Sequence, residues 1–180
     1  MERLAAFAPL FAYPGPDYGQ HVRACLEQST APDLQRFAEA IGPLSLGERQ
    51  EQFVRIFDLS PACTLEIGWH LFGEQYERGE FLVELRQHLR SAGIAEQGEL
   101  PDHLVHVLQL LARMVGEDAE AFIGTKLAPA LDKMIGAAPV DNPYGWLLRA
   151  LRDDAAGLRP RAAAPADAAM GAEAPGAPHV

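Results

Sequence analysis

The sequence predicts an all-α protein, built as a single globular bundle of eight or nine short helices. Apolar residues recur three and four positions apart along nearly the whole chain, while strand-like alternation is almost absent. Pro and Gly divide the chain into segments of about 10–17 residues, which favours a bundle over a coiled coil. With 180 residues, 48% of them hydrophobic, the chain is long enough to bury one core.

Chain-breaking and helix-capping residues define the predicted helices of the first half. The first helix is predicted over residues 2–12, and the helix that follows residue 45 is predicted to run through Phe57. Ser45 and Glu48 have the spacing of a capping box, which satisfies two free N–H groups at a helix start. The other predicted boundaries of this half are the turn 13–16, the cap Asp17, the helix start Pro32, the stop Gly42-Pro43 and the break 58–61.

The second half follows the same pattern. Pro101 is predicted at the first position of a helix, where its missing N–H costs nothing. Pro129 is predicted to interrupt or kink a helix that begins near Glu117. The remaining predicted boundaries are the stops at Gly73, Gly93 and Gly136 and the start of the last helix at Asn142-Pro143.

The two ends of the chain differ in composition. The N-terminus loosely resembles a signal peptide, but Glu2 occupies the region that should be positive, so we interpret it as the first helix of the mature domain. No apolar run approaches the length of about 18 residues that suggests a membrane span. Ala, Pro and Gly make up 15 of the last 21 residues. We therefore expect a helical domain over 1–158 and a disordered Ala/Pro-rich tail over 159–180.

The charge balance and the cysteines exclude several classes of function. The chain has 15 Lys and Arg against 25 Asp and Glu, a net charge of −10. Such a surface repels phosphate backbones and anionic membrane surfaces, so we expect neither nucleic-acid binding nor stable membrane insertion. Cys25 and Cys63 form no zinc-binding pattern and are typical of free thiols in a reduced cytoplasm.

The densest group of polar residues is Glu99-Leu-Pro-Asp102-His103-Leu-Val-His106. On a helix that starts at Pro101, Asp102 and His106 share a face, so Asp102, His103 and His106 could bind a metal or perform acid–base chemistry. Alternatively, Asp102 satisfies N–H groups in the first helical turn, and the histidines border the core. Local considerations favour the second interpretation, so we predict no metal site, no cofactor and no catalytic residues.

A second region of interest carries aromatic residues beside carboxylates around a helix junction. We expect Phe57 and Phe72 to lie in the core, and Glu77–Arg78 to form a solvated pair. Trp69 and Tyr76 are amphipathic, and with Glu77 they suit a groove that accepts an apolar, basic peptide.

Five short motifs follow one another along the chain: Phe57-Asp58, His70-Leu-Phe-Gly73, Arg78-Gly79, Leu100-Pro-Asp-His-Leu104 and Asn142-Pro-Tyr144. In their combined order and spacing, which are fairly specific, they resemble the NarJ branch of the TorD-like redox-enzyme maturation chaperones. The resemblance covers about residues 1–158.

The resemblance implies an all-helical cytoplasmic chaperone without bound metal or catalysis. It implies that the partner is the catalytic subunit of a respiratory molybdoenzyme, foremost nitrate reductase, bound through its N-terminal, often twin-arginine-like, segment until the molybdenum cofactor is inserted. Molybdenum cofactor delivery proteins are further implied partners. Asp102 and His103 match a family Asp-His pair implicated in leader recognition. The predicted peptide-binding residues are Asp58, Trp69, His70, Tyr76, Glu77, Glu99, Asp102, His103 and His106.

One departure from the family pattern leaves the client open. The family commonly has His-Gly-Asp-Arg-x-Arg-Gly, whereas this chain has His70-Leu-Phe-Gly73-Glu-Gln-Tyr-Glu-Arg78-Gly79, with Leu71-Phe72 inserted and fewer arginines. A selenate, chlorate or hydrocarbon dehydrogenase is therefore an alternative client. Two other classes remain as alternatives: a small metal-dependent helical enzyme that uses Asp102, His103 and His106, and a helical adaptor that regulates a folded partner.

Overall fold

The computed structural model describes residues 2–96 and 98–158, and it confirms the all-α prediction. The predicted tail 159–180 lies outside the described residues. Counting α8 and α9 as one continuous helix gives nine helices in the described part of the chain. The helices are α1 Glu2–Ala5, α2 Tyr18–Gln28, α3 Pro32–Ile41, α4 Leu46–Phe53, α5 Ile67–Phe72, α6 Tyr76–Ser91, α7 Leu104–Leu111, α8 Gly116–Phe122, α9 Ala128–Ala137 and α10 Tyr144–Ala156.

The N-terminal segment is less regular than the predicted helix over 2–12. It consists of α1 followed by a 3₁₀ turn over Ala8–Phe11. Pro9 explains the change, because a proline has no N–H to donate to the carbonyl four residues earlier. The side chains of Leu4, Phe7 and Leu10 are fully buried, which confirms that this segment belongs to the core of the domain.

Two π turns extend helices beyond their regular α-helical parts. Val54–Asp58 continues α4, so the helix that begins with the Ser45–Glu48 capping box reaches Phe57 as predicted. Ile123–Leu127 joins α8 to α9 directly before Pro129. The widened turn accommodates the proline ring and its missing N–H, so the chain remains helical past Pro129.

The start of α7 differs from the prediction in a way that reshapes the candidate site. Pro101 lies in a turn, and the helix begins at Leu104 with His103 as its N-cap. The Nδ1 atom of His103 accepts the N–H of Val105 at 3.3 Å. The prediction that Asp102 lies in the first helical turn, sharing a face with His106, is therefore wrong.

The residues before α7 instead pair with the residues before α5. Leu104 N–H donates to Leu65 O at 2.8 Å, and Ile67 N–H donates to Asp102 O at 2.9 Å. Glu66 therefore stands opposite His103 in an isolated antiparallel bridge. Because side chains alternate along extended backbone, flanking residues face the opposite side from this pair. Ile67, Asp102 and Leu104 follow this rule and are buried, whereas Leu65 is buried but still lines the same hollow as the pair.

An aromatic cluster joins α4 and its π turn to α10. The ring of Tyr144 lies 5.2 Å from Phe57 and 5.6 Å from Phe53, both in edge-on geometry that aromatic pairs favour. Phe57 is buried, as predicted, whereas Phe72 is only partly buried against the core. Across residues 2–96 and 98–158, no helix has both the length and the apolarity needed to cross a membrane.

Candidate functional site

A groove runs along the bridge between the segments that precede α5 and α7. It consists of two adjoining hollows of about 380 Å³ and about 350 Å³. The hollows have a common wall, formed by Phe57, Asp58, Thr64 and Glu66. The hollow lined by His103 is called the first hollow, and the hollow lined by Trp69 is called the second hollow.

Apolar side chains form about half of the groove's lining, including its floor. In the first hollow, Phe11 and Phe53 are buried beneath the surface, while Tyr13 is 57% exposed at the rim. In the second hollow, Trp69 is partly exposed and stands beside Leu100. Walls of this kind release water when an apolar side chain enters, which favours binding.

Three carboxylates gather at the common wall and the rim. Donor atoms of Glu66, Glu99 and His103 all lie within 4.8 Å of one another. Burial raises the pKa of Asp58, and the nearby charges of Glu99 and Glu66 raise it further, which indicates that the three carboxylates repel one another. Within the described residues none of the three forms an ion pair with Lys or Arg. The groove therefore carries uncompensated negative charge.

His103 adds a titratable group to this cluster. Its Nδ1 is occupied as the acceptor of the α7 cap, so the neutral ring carries its proton on Nε2. Burial lowers the pKa of His103, although Glu99 and Glu66 oppose that shift. A neutral ring with one nitrogen occupied and the other protonated has no free lone pair, which disfavours metal binding through His103.

Five of the predicted peptide-binding residues come together in this groove. Asp58, Glu99, His103 and His106 line the first hollow, and Asp58 and Trp69 line the second. The ring of His106 is held in place, because its Nδ1–H donates to Leu100 O at 2.9 Å.

The other four predicted residues lie outside the lining. His70 is buried behind the groove, where its Nε2–H donates to Thr64 O at 2.7 Å. Asp102 is fully buried on the core side of the bridge. Tyr76, 80% exposed, lines a separate hollow on the outer face of α6, and Glu77 is exposed at the start of that helix.

The proposed ligand set Asp102, His103 and His106 is not assembled. Asp102 faces the core, while the two histidines face the first hollow. The metal-dependent enzyme that required this trio therefore has no structural basis in the described residues.

Two charged residues of the groove, Glu66 and Arg78, were not among the predicted site residues. Glu66 occupies the position before α5, where a carboxylate at a helix start is a signal that could have identified it. Arg78 was expected to pair with Glu77 in solvent. It instead forms an ion pair with Asp102, with Nη2 3.5 Å from Oδ2, and its guanidinium lies 5.6 Å from the centre of the Trp69 ring.

The sequence that forms this fold and groove matches a known protein family. The chain is a member of the nitrate reductase delta subunit family, whose model matches residues 23–137. The matched region includes Phe53 through Gln109, which supply most of the groove.

Two curated relatives give the family a more specific context. The chain is 29% identical over 142 residues to the nitrate reductase molybdenum cofactor assembly chaperone NarJ of Escherichia coli strain K12. It has the same identity to the protein of that name from Escherichia coli O157:H7. Each alignment covers 73% of this chain and 59% of the relative, so the chain spans less than two thirds of the relatives' length.

Proposed function

We propose that this protein is a maturation chaperone for a respiratory molybdoenzyme. It binds the N-terminal segment of the catalytic subunit, with nitrate reductase as the first candidate, and holds that subunit until the molybdenum cofactor is inserted. Membership of the nitrate reductase delta subunit family supports this class of function, as do the names of the two relatives. The observation that carries the proposal is the uncompensated carboxylate cluster inside an apolar groove.

The apolar walls supply most of the binding free energy in this proposal. A well-buried Leu or Phe anchor contributes about 1.5–3 kcal/mol, whereas an exposed ion pair contributes about 0–1 kcal/mol. Ordering an unfolded segment costs about 2–5 kcal/mol. At the middle of these ranges two apolar anchors are needed to offset the ordering cost, and ion pairs alone are too weak.

The carboxylates determine which segment binds and in which register. Asp58 and Glu66 stand at the wall common to both hollows, and Glu99 stands at the rim of the first. A basic side chain placed there relieves the repulsion among the three groups, with apolar side chains on either side of it entering the hollows. Long-range attraction between this cluster and a basic segment also speeds association.

The proposed role requires no catalysis by the chaperone. The side chains of the groove hold, orient and shield an unfolded segment, and the chemistry of the mature enzyme belongs to its own cofactor. The chaperone works in the cytoplasm in this proposal, where it meets the newly made subunit and the proteins that deliver the molybdenum cofactor.

The proposal is tested by titrating the purified protein with a synthetic peptide of the nitrate reductase catalytic-subunit N-terminus, using calorimetry. We expect saturable one-to-one binding. A peptide with its large apolar residues changed to Ser should bind at least about tenfold more weakly, because it loses at least one anchor. A peptide with its basic residues changed to Gln should bind only severalfold more weakly. Absence of binding by the unchanged peptide would contradict the proposal.

The client is identified by comparing peptides from different molybdoenzymes. N-terminal peptides from selenate, chlorate and hydrocarbon dehydrogenases are titrated in parallel with the nitrate reductase peptide. The tightest binder indicates the client, and preference for one of the three would replace nitrate reductase in the proposal while retaining the chaperone mechanism.

A further inference from the structure

The carboxylate of Asp102 lies in the protein interior, where a charged group costs free energy. It is fully buried, as are Ile67 and Leu104 on the same side of the bridge. The alternation of the extended backbone directs it inward, while its neighbour His103 faces the groove. Burial raises the pKa of Asp102, and Arg78 opposes that rise. A buried charge of this kind persists only with partners that compensate it.

The carboxylate of Asp102 connects three segments of the chain. Its Oδ2 accepts the backbone N–H of Gly68, the second residue of α5, at 3.2 Å. The same oxygen receives Nη2 of Arg78, the third residue of α6, at 3.5 Å. Because Asp102 itself precedes α7, one oxygen atom holds the starts of α5 and α6 against the residues leading into α7.

Gly68 makes this close approach possible. A Cβ atom at position 68 would lie 2.5 Å from Oδ2 of Asp102 and 3.1 Å from the ring of Phe81. Any side chain there forces Asp102 away from α5, because Phe81 is itself buried and cannot yield freely. The sequence thus provides a gap that fits the carboxylate.

Arg78 links the buried Asp102 to the lining of the groove. Its guanidinium is held from behind by Asp102 and lies 5.6 Å from the centre of the Trp69 ring, a cation–π distance. Arg78 and Trp69 both line the second hollow. The indole of Trp69 therefore lies beside an arginine that is itself paired with Asp102.

The geometry of the pair indicates a role other than maximal stability. Oδ1 of Asp102 and Nε of Arg78 are buried without a hydrogen-bond partner among the described residues. A buried ion pair with unsatisfied atoms is a poor source of stability, since its desolvation cost is only partly repaid.

We propose that Asp102 is a positioning residue for peptide capture: it touches no ligand, and it shapes the second hollow by holding Arg78 against Trp69. The inference rests on the proposed function for its binding readout. Asp102 acts from behind the groove wall, and Arg78 and Gly68 form one structural unit with it.

The first test follows Trp69 fluorescence. The chain has two tryptophans, so Trp146→Phe leaves Trp69 as the only one. In that background, Asp102→Asn should shift the emission of Trp69 and increase its quenching by acrylamide, because Arg78 no longer packs on the indole. Arg78→Gln should cause the same change. An unchanged Trp69 signal in both variants would overturn the inference.

The second test measures affinity for the nitrate reductase N-terminal peptide. We expect Asp102→Asn and Arg78→Gln each to weaken binding by about tenfold, less than the loss caused by truncating an aromatic hot-spot residue itself. The double variant should bind no more weakly than either single variant, because both changes release the same contact. Losses that multiply in the double variant would contradict the inference.

A matched control separates positioning from general stability. Asp154 on α10 is also buried, also has an unpaired oxygen, and pairs with Arg3 at 3.4 Å, but it does not line the groove. Asp154→Asn should lower the melting temperature and leave peptide affinity within about twofold of wild type. An equal loss of affinity in Asp154→Asn would show that destabilisation alone explains the effect.

Two further comparisons decide the inference if a variant does not fold or if the peptide does not bind. If Asp102→Asn does not fold, Arg78→Gln and Gly68→Ala report on the same unit, because Arg78 is partly exposed and the Gly68 change retains every charge. If wild-type protein fails to bind the peptide, the proposed function fails, while the fluorescence comparison still decides whether Asp102 controls Trp69.

Discussion

The groove and the outer face of α6 carry the same types of residue but differ in how they are built. On α6, Tyr76 and Val83 are exposed on one helix beside Glu80, where a single segment provides every group. In the groove, the carboxylates and aromatic residues come from the N-terminal 3₁₀ turn, from α4 and its π turn, from the segments before α5 and α7, and from α5 itself, which are far apart in sequence. Because these segments meet in the groove, they enclose the two hollows and bring the carboxylates close together. The residue types alone would not produce this arrangement.

The sharpest way to test this contrast is to truncate one aromatic residue in each region. Trp69→Ala should weaken binding of the nitrate reductase N-terminal peptide by about 10- to 100-fold, because an apolar anchor contributes about 1.5–3 kcal/mol. Tyr76→Ala should leave the affinity unchanged, since its ring lies outside the groove. Calorimetric titration measures both. A larger loss for Tyr76→Ala than for Trp69→Ala would move the binding surface to α6.

The carboxylates provide a smaller effect that depends on salt. Glu99→Gln should weaken binding by about two- to fivefold at low ionic strength, as expected for an exposed ion pair, and the loss should shrink as salt is added. Glu77→Gln removes the same charge outside the groove and should have no effect. Titrations at several salt concentrations check this. A salt-independent loss for Glu99, or an equal loss for Glu77, would contradict the placement of the acidic cluster.

Acidification should weaken peptide binding through the same cluster. Because the pKa of His103 is lowered, its ring gains a proton only as the pH falls below about 6.5. The new positive charge opposes a basic side chain, and the raised pKa of Asp58 makes its carboxylate neutralise early, in the same direction. We expect about a two- to fivefold loss between about pH 7.5 and about pH 5.5.

A variant of His103 isolates its part in that pH dependence. His103→Asn keeps an N-cap acceptor for α7 and removes the titrating ring. The variant should retain wild-type affinity near pH 7.5 and lose less of it on acidification. An identical pH profile in wild type and variant would exclude His103 as the cause.

His70, which lies behind the groove, should affect folding stability and not peptide binding. Its pKa is lowered, chiefly by burial, so the unfolded chain takes up a proton more readily than the folded protein. Folding stability should therefore fall as the pH drops below about 6.5. His70→Gln should flatten this decline in urea unfolding while peptide affinity near pH 7.5 stays unchanged. Equal pH dependence in the variant would assign the decline to other groups.

The sequence predicted features that depend on neighbouring residues. The capping box formed as expected, with Ser45 N–H donating to Glu48 Oε2 at 2.8 Å. Gly73 ends α5 with a φ of 60°, a conformation that glycine adopts at little cost. Such signals lie within a few residues of the structure that they determine, and so can be read from one chain.

Features that depend on distant residues were not predicted. The bridge between Glu66 and His103 moved the start of α7 away from Pro101, and nothing near Pro101 signals that pairing. Arg78 pairs with Asp102, which is 24 positions away, in place of its neighbour Glu77. Five of the nine predicted peptide-binding residues line the groove, and the three-dimensional contacts decide which five.

The central claim, that the groove receives an unfolded N-terminal segment, is tested most directly by Trp69 fluorescence during peptide titration. In Trp146→Phe protein, the nitrate reductase N-terminal peptide should shift the Trp69 emission to shorter wavelength in a saturable manner, because the peptide excludes water from the second hollow. The resulting Kd should agree with the calorimetric value. Binding seen by calorimetry without any change in Trp69 emission would contradict the account.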